Sequence, residues 1–144
     1  MALISSDEDA ALLEAGLLSR SLSRRYRQAV AELLEPGMGR EHLAGRLAEH
    51  EQAQQLLDEL CRQAGLLPRD GDGELDDLRR LGDWVLGQLD QTAEQRLLRQ
   101  FVAEEQNFLS ELAKAEGGDQ RAGALDSLLT QTRRFIEVSD AYLG

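Results

Sequence analysis

From Gly39 onward, Leu43, Leu47, His50, Gln54, Leu57, Cys61 and Ala64 follow one another at alternating spacings of four and three. Only an α-helix, with about 3.6 residues per turn, gathers such positions onto one stripe, and a stripe of this width is a seam that packs against other helices. A chain built around such a seam folds as a helical bundle, and the pattern recurs elsewhere. Leu18, Leu22, Tyr26, Ala29 and Leu33 define one face of an earlier helix, expected over residues 7–34. Pro36 and Gly37 end that helix, because proline disfavours helical geometry in the residue before it and donates no backbone hydrogen bond. The helix carrying the seam spans about 39–64, and with so short a link the two should pair as an antiparallel hairpin.

The second half reads the same way. Thr92 and Gln95 have the spacing of a capping box, as do Ser5 and Glu8 ahead of the first helix. Leu98, Phe101, Glu105, Phe108 and Leu112 then share a face of a helix over about 92–115, which Gly117 and Gly118 stop. A last helix, about 120–143, carries Leu125, Leu128, Leu129, Thr132, Phe135, Ile136 and Tyr142. Between the two hairpins lies a long connection with a short periodic stretch, Leu75, Leu78, Leu81, Val85 and Leu89, expected as a crossover helix over about 74–89. The fold class is therefore all-α, and the 144 residues form a single helical-bundle domain.

Charge and composition narrow the function classes. A formal net charge of −11 opposes the phosphate contacts on which nucleic-acid binders rely. The densest basic group, Arg24, Arg25 and Arg27, reads as a solvated helix face. Cys61 is the only cysteine, so no intramolecular disulfide can form and a reducing, cytoplasmic setting is expected. No stretch approaches the ~20 apolar residues of a membrane span.

Tyr26 and Ala29, the stretches Leu47-Ala48-Glu49-His50-Glu51 and Leu57-Asp58-Glu59-Leu60, and Trp84 resemble landmarks of a bacterial ferritin-like family of unknown function. The resemblance runs from about Leu18 to Leu143 and implies a ferritin-like four-helix bundle, often a homodimer, with no settled activity. Active members of the wider superfamily hold iron or manganese pairs with a glutamate on each of two helices and Glu-x-x-His on each of the other two. In this chain Gly39 and Leu47 stand three residues before His42 and His50, and the last helix has no histidine. Half of the ligand set that the resemblance implies is missing.

The residues that could carry chemistry are polar interruptions of apolar faces. Glu105 lies among Leu98, Phe101, Val102, Phe108, Leu109 and Leu112, where an unpaired carboxylate costs several kcal/mol or takes a proton. His50 and Gln54 break the seam of the second helix, Tyr26 the first and Thr132 the last. If the five share a layer, three readings stand: a satisfied polar core layer, a mononuclear metal site with Glu105 and His50 as ligands and Glu49 or Glu32 nearby, or Glu105 turned outward at an edge or dimer contact. No serine sits in a nucleophile turn, so no catalytic residue is expected. His42 is expected at the surface and Cys61 as a small apolar core residue. The Asp70-Gly71-Asp72-Gly73-Glu74 run has Leu75 and Leu81 where a calcium loop needs its glycine and its bidentate acid.

Two functions fit. The first is a non-enzymatic bundle acting through protein association, as a homodimer or with another protein, without a cofactor, using Leu3, Ile4, Trp84, Leu86 and Leu89 as candidate contact surface. The second is a metal-binding or redox protein with a reduced iron or manganese site at Glu105 and His50.

Overall fold

The computed structural model describes residues 6–67, 79 and 92–144. Helix α1, Asp7–Gln28, opens at Ser6, whose hydroxyl accepts the Asp9 amide at 3.1 Å; the cap is thus Ser6, while Ser5 lies outside the described residues. Ala29–Leu33 continue α1 as a π-helical turn, closed by the Leu34 amide on the Ala29 carbonyl at 3.0 Å. A turn widened by one residue re-aims the side chains that follow it. Leu33, expected on the core face, is accordingly 40% exposed, and the deepest residues of α1 are instead Leu12, Ala15, Ser19, Leu22 and Tyr26.

Helix α2 is Met38–Gln63. It ends in a Schellman motif: the Gly65 amide bonds the Arg62 carbonyl, the Leu66 amide bonds that of Cys61, and Gly65 takes φ 76°, which glycine adopts without strain. Helix α3, Ala93–Ala115, starts with the expected capping box between Thr92 and Gln95. Helix α4 is Asp119–Leu143. Among the described residues there is no strand, and no helix is long and apolar enough to cross a membrane. The expected crossover helix at 74–89, the Asp70–Glu74 run and the suggested contact residues Leu3, Ile4, Trp84, Leu86 and Leu89 lie outside the described residues.

The four helices close a ring in which α1 packs on α2 and α3, and α4 packs on α3 and α2. Arg20 meets Asp58, Tyr26 meets Phe101 and His42 meets Ser139, so each neighbouring pair in these contacts runs antiparallel. The end of α2 lies with Ser6 and Gly117 at one end of the bundle, whereas the start of α3 lies with Gly39 and Tyr142 at the other. The connection from α2 to α3 therefore joins opposite ends, and the bundle is two antiparallel hairpins linked by a long crossover. Leu12, Leu22, Leu43, Leu57, Leu97, Leu112 and Leu125 fill its core.

Several side chains sit differently from the sequence expectation. Arg25 is buried, with Nη2 bonded to the Ser21 hydroxyl at 3.0 Å and 3.9 Å from Glu104, while its neighbour Arg27 is exposed. His42 is half-buried rather than on the surface: it stacks on Phe135 and shares a 2.8 Å hydrogen bond with Ser139. Tyr142 is exposed, and Ser139, three residues before it, takes the inward position. Cys61 is buried among apolar neighbours, and burial raises its thiol above the ordinary value, keeping it protonated.

Candidate functional site

Glu105 is fully buried at the middle of the bundle, and all four helices contribute to the cluster built on it. From α2, Arg46 donates Nε to Oε2 at 2.7 Å and Nη2 to Oε1 at 2.9 Å, a bidentate pair. From α1, the Tyr26 hydroxyl donates to Oε2 at 2.6 Å. His50 Nε2 lies 3.1 and 2.9 Å from the two oxygens. From α4, Thr132 accepts a second bond from Arg46 Nη2 at 2.9 Å and its own hydroxyl donates to the Leu128 carbonyl at 2.7 Å. Arg46 Nη1 reaches Glu49 at 3.0 Å, so four of the five guanidinium donors are directed at acceptors.

An ionised carboxylate only accepts, so His50 must carry its proton on Nε2 when neutral, leaving Nδ1 to accept from the Ser19 hydroxyl at 2.8 Å. Burial lowers the His50 pKa from its ordinary 6.5, against the opposing pull of Glu105, so the ring is neutral at pH 7. Burial alone would raise the Glu105 carboxyl, but His50 and the Arg46 guanidinium hold it far below the usual carboxylate range. Arg46 loses solvation too, yet its bonds to Glu105 keep it charged. Burial first, and the Glu105 charge second, hold the Tyr26 hydroxyl protonated well above its ordinary 10.0. The buried charges of Glu105 and Arg46 cancel, which is the condition for placing ions in a core at tolerable cost.

The surroundings are the aromatic part of the molecule. All three phenylalanines of the chain lie here: Phe101 stacks on Tyr26 at 4.0 Å between ring centroids, Phe108 packs on His50 at 4.9 Å, and Phe135 meets Tyr26 edge-on. The Arg46 guanidinium sits 5.9 Å from the Phe108 ring and 5.5 Å from that of Phe135, in cation–π range.

Of the residues singled out from the sequence, Glu105, His50, Tyr26 and Thr132 converge. Gln54 does not: one turn beyond His50, its amide bonds Ser23 instead. Glu105 does not point outward, and Glu32 is paired with Gln28 on the surface. Arg46 and Ser19 were missed. The strict four-three alternation lands on Leu47, which is only half-buried, whereas the buried stripe of α2 runs Leu43, Arg46, His50, Ala53, Leu57. The signal for Arg46 was indirect: a buried carboxylate needs a cation, and Arg46 stands one turn before His50 on the same face.

The chemistry of the donor set does not suit a metal. The roughly four lone-pair positions of the carboxylate are engaged by Arg46 twice, Tyr26 and His50. Among the described residues no group of three or more His, Cys, Asp or Glu side chains could hold an ion. His50 Nε2, the ring nitrogen that would ligate, instead carries the proton it donates to Glu105 at 2.9 Å.

The sequence matches no protein-family model and no curated protein. The fold is similar to the crystal structure of a conserved hypothetical protein, rv2844, from Mycobacterium tuberculosis, with a TM-score of 0.72, 17% identity, and coverage of 96% of this chain and 91% of that one. At that identity the likeness speaks to the fold.

Proposed function

We propose that the protein is a non-enzymatic helical bundle, ferritin-like in topology, that works through association with protein partners, a second copy of itself among them. The observation that carries the non-enzymatic part is Arg46: its guanidinium engages both oxygens of Glu105, and His50 and Tyr26 take up the remaining lone pairs. A carboxylate so saturated has no free lone pair for substrate or metal, so the centre holds the four helices in register and function falls to the surface. Exposed Met38, Val138 and Tyr142, near the joined ends of α1–α2 and α4, offer apolar area for a contact.

The competing reading, a reduced iron or manganese site at Glu105 and His50, draws on the meeting of those two side chains in the core. It requires Arg46 to leave. Elemental analysis after anaerobic incubation with iron, manganese and zinc, paired with sedimentation over a wide concentration range, separates the two. Self-association without stoichiometric metal is the expected result. Stoichiometric metal that is lost in Glu105→Gln and His50→Gln overturns the non-enzymatic reading, and a strict monomer overturns self-association.

A further inference from the structure

The Ser19 hydroxyl lies 2.8 Å from His50 Nδ1 and 3.4 Å from the His50 carbonyl oxygen. One rotor thus serves two states of the ring. With His50 neutral, Ser19 donates its proton to Nδ1. When Nδ1 carries a proton, Ser19 turns its own hydroxyl proton toward the carbonyl and its oxygen accepts from Nδ1–H, so no ring nitrogen is left without a partner in either state. A histidine with a purely structural role needs a partner for one state only.

A second feature concerns where the added charge goes. His50 faces Ser19 and Tyr26 from α1, Arg46 and Glu49 from its own helix, and Glu105 from α3, while α4 supplies the uncharged Thr132 through Arg46. Protonation leaves two cations, His50 and Arg46, on the single buried anion Glu105, and at low effective dielectric they repel. Arg46 has an exit. It lines a groove of about 280 Å³ between α2 and α4, with His42, Glu49, Arg134, Phe135 and Val138, and its Nη1 already reaches the partly exposed Glu49. In that groove Gly45 faces open space.

We propose that Ser19, His50 and the Arg46–Glu49 pair form a proton-sensing device: the folded bundle takes up one proton at His50 Nδ1, and the added charge drives Arg46 off Glu105 toward Glu49 and the α2–α4 groove. Acid is thereby converted into a rearrangement between helices without unfolding.

The chain has two histidines, so His42→Gln leaves a single ring to follow. The measurement is ¹⁵N NMR of the His50 ring and the Arg46 Nε–H from pH 8 to pH 4, with backbone amide dispersion recorded alongside. The expected result is the Nε2–H tautomer at pH 8, then an imidazolium while amide dispersion is retained, with faster exchange of the Arg46 Nε–H over the same range. Ser19→Ala should lower the titration midpoint by about half a pH unit or more, because the charge-assisted bond is the stronger of the two it removes. Glu49→Gln should lower it as well. An Nδ1–H tautomer at pH 8, loss of amide dispersion before the imidazolium appears, an Arg46 signal that stays protected, or an unchanged or raised midpoint in Ser19→Ala would each overturn the device.

Discussion

Two side chains decide what the centre of this bundle can be: Glu105, fully buried, and Arg46, whose side chain is 2% exposed. Removing Arg46 leaves the Glu105 charge buried with neutral donors only, and removing Glu105 leaves Arg46 only the partly exposed Glu49 as counter-charge, so Arg46→Met and Glu105→Gln are each expected to lose about 3–5 kcal/mol of stability in urea unfolding. The double variant Arg46→Met, Glu105→Leu should lose clearly less than the sum, since no stranded ion remains. Additive losses would mean that the pair is not coupled. Tyr26→Phe is milder: it deletes one donor to a charged acceptor and keeps the Phe101 stack, for a loss of about 1.5–3 kcal/mol. The sequence made Glu105, His50, Tyr26 and Thr132 visible because each breaks an apolar face. It hid Arg46 and Ser19 for opposite reasons. Arginine is discounted in any count of apolar positions, and a serine in a helix looks neutral until its partner is known. Gln54 also broke a face, but interruption marks burial and says nothing of which partner lies opposite; its amide bonds the Ser23 hydroxyl.

At the scale of the helices, local signals carried most of the information. The Thr92–Gln95 box, the Pro36–Gly37 break and the Gly117–Gly118 break sit where the helices begin and end. The π turn at Ala29–Leu33 was not legible, since its composition is that of an ordinary helix and only the backbone hydrogen bond reveals it. Thr92→Ala should destabilise by about 1 kcal/mol and speed amide exchange at Gln95, whose N–H it caps. Gly45 provides the converse case. It lies within α2, and a Cβ there would meet nothing within 4 Å, so Gly45→Ala should stabilise by about 0.5–1 kcal/mol through reduced backbone entropy of the unfolded chain. A loss of stability in that variant would show that the groove beside it is more closely packed than the arrangement of α2 and α4 implies.

For the whole molecule the same few groups set the dependence of stability on pH. His50 has a folded pKa below its ordinary 6.5, so the unfolded chain binds the proton first; stability present above about 6.5 declines as pH falls through that value toward the lower folded one. Glu105, depressed from 4.5, adds a second decline that begins near 4.5 and continues to the bottom of the accessible range. Tyr26 acts at the other limb. Its folded pKa lies above 10.0, so above about pH 10 the unfolded chain releases a proton that the native core retains, and stability falls as pH rises. Chemical denaturation at intervals from pH 3 to pH 11 should therefore trace a plateau near neutrality with a two-stage acid limb and one alkaline limb. The variants assign the limbs. Because burial lowers the His42 pKa as well, the test is made in a His42→Gln background, where His50→Gln should remove the first acid stage while lowering the plateau, and Tyr26→Phe should weaken the alkaline limb. An acid limb that keeps both stages in the His42→Gln, His50→Gln variant would place the first titration on other groups, and the neutral ring at the centre of the cluster would then have to be given up.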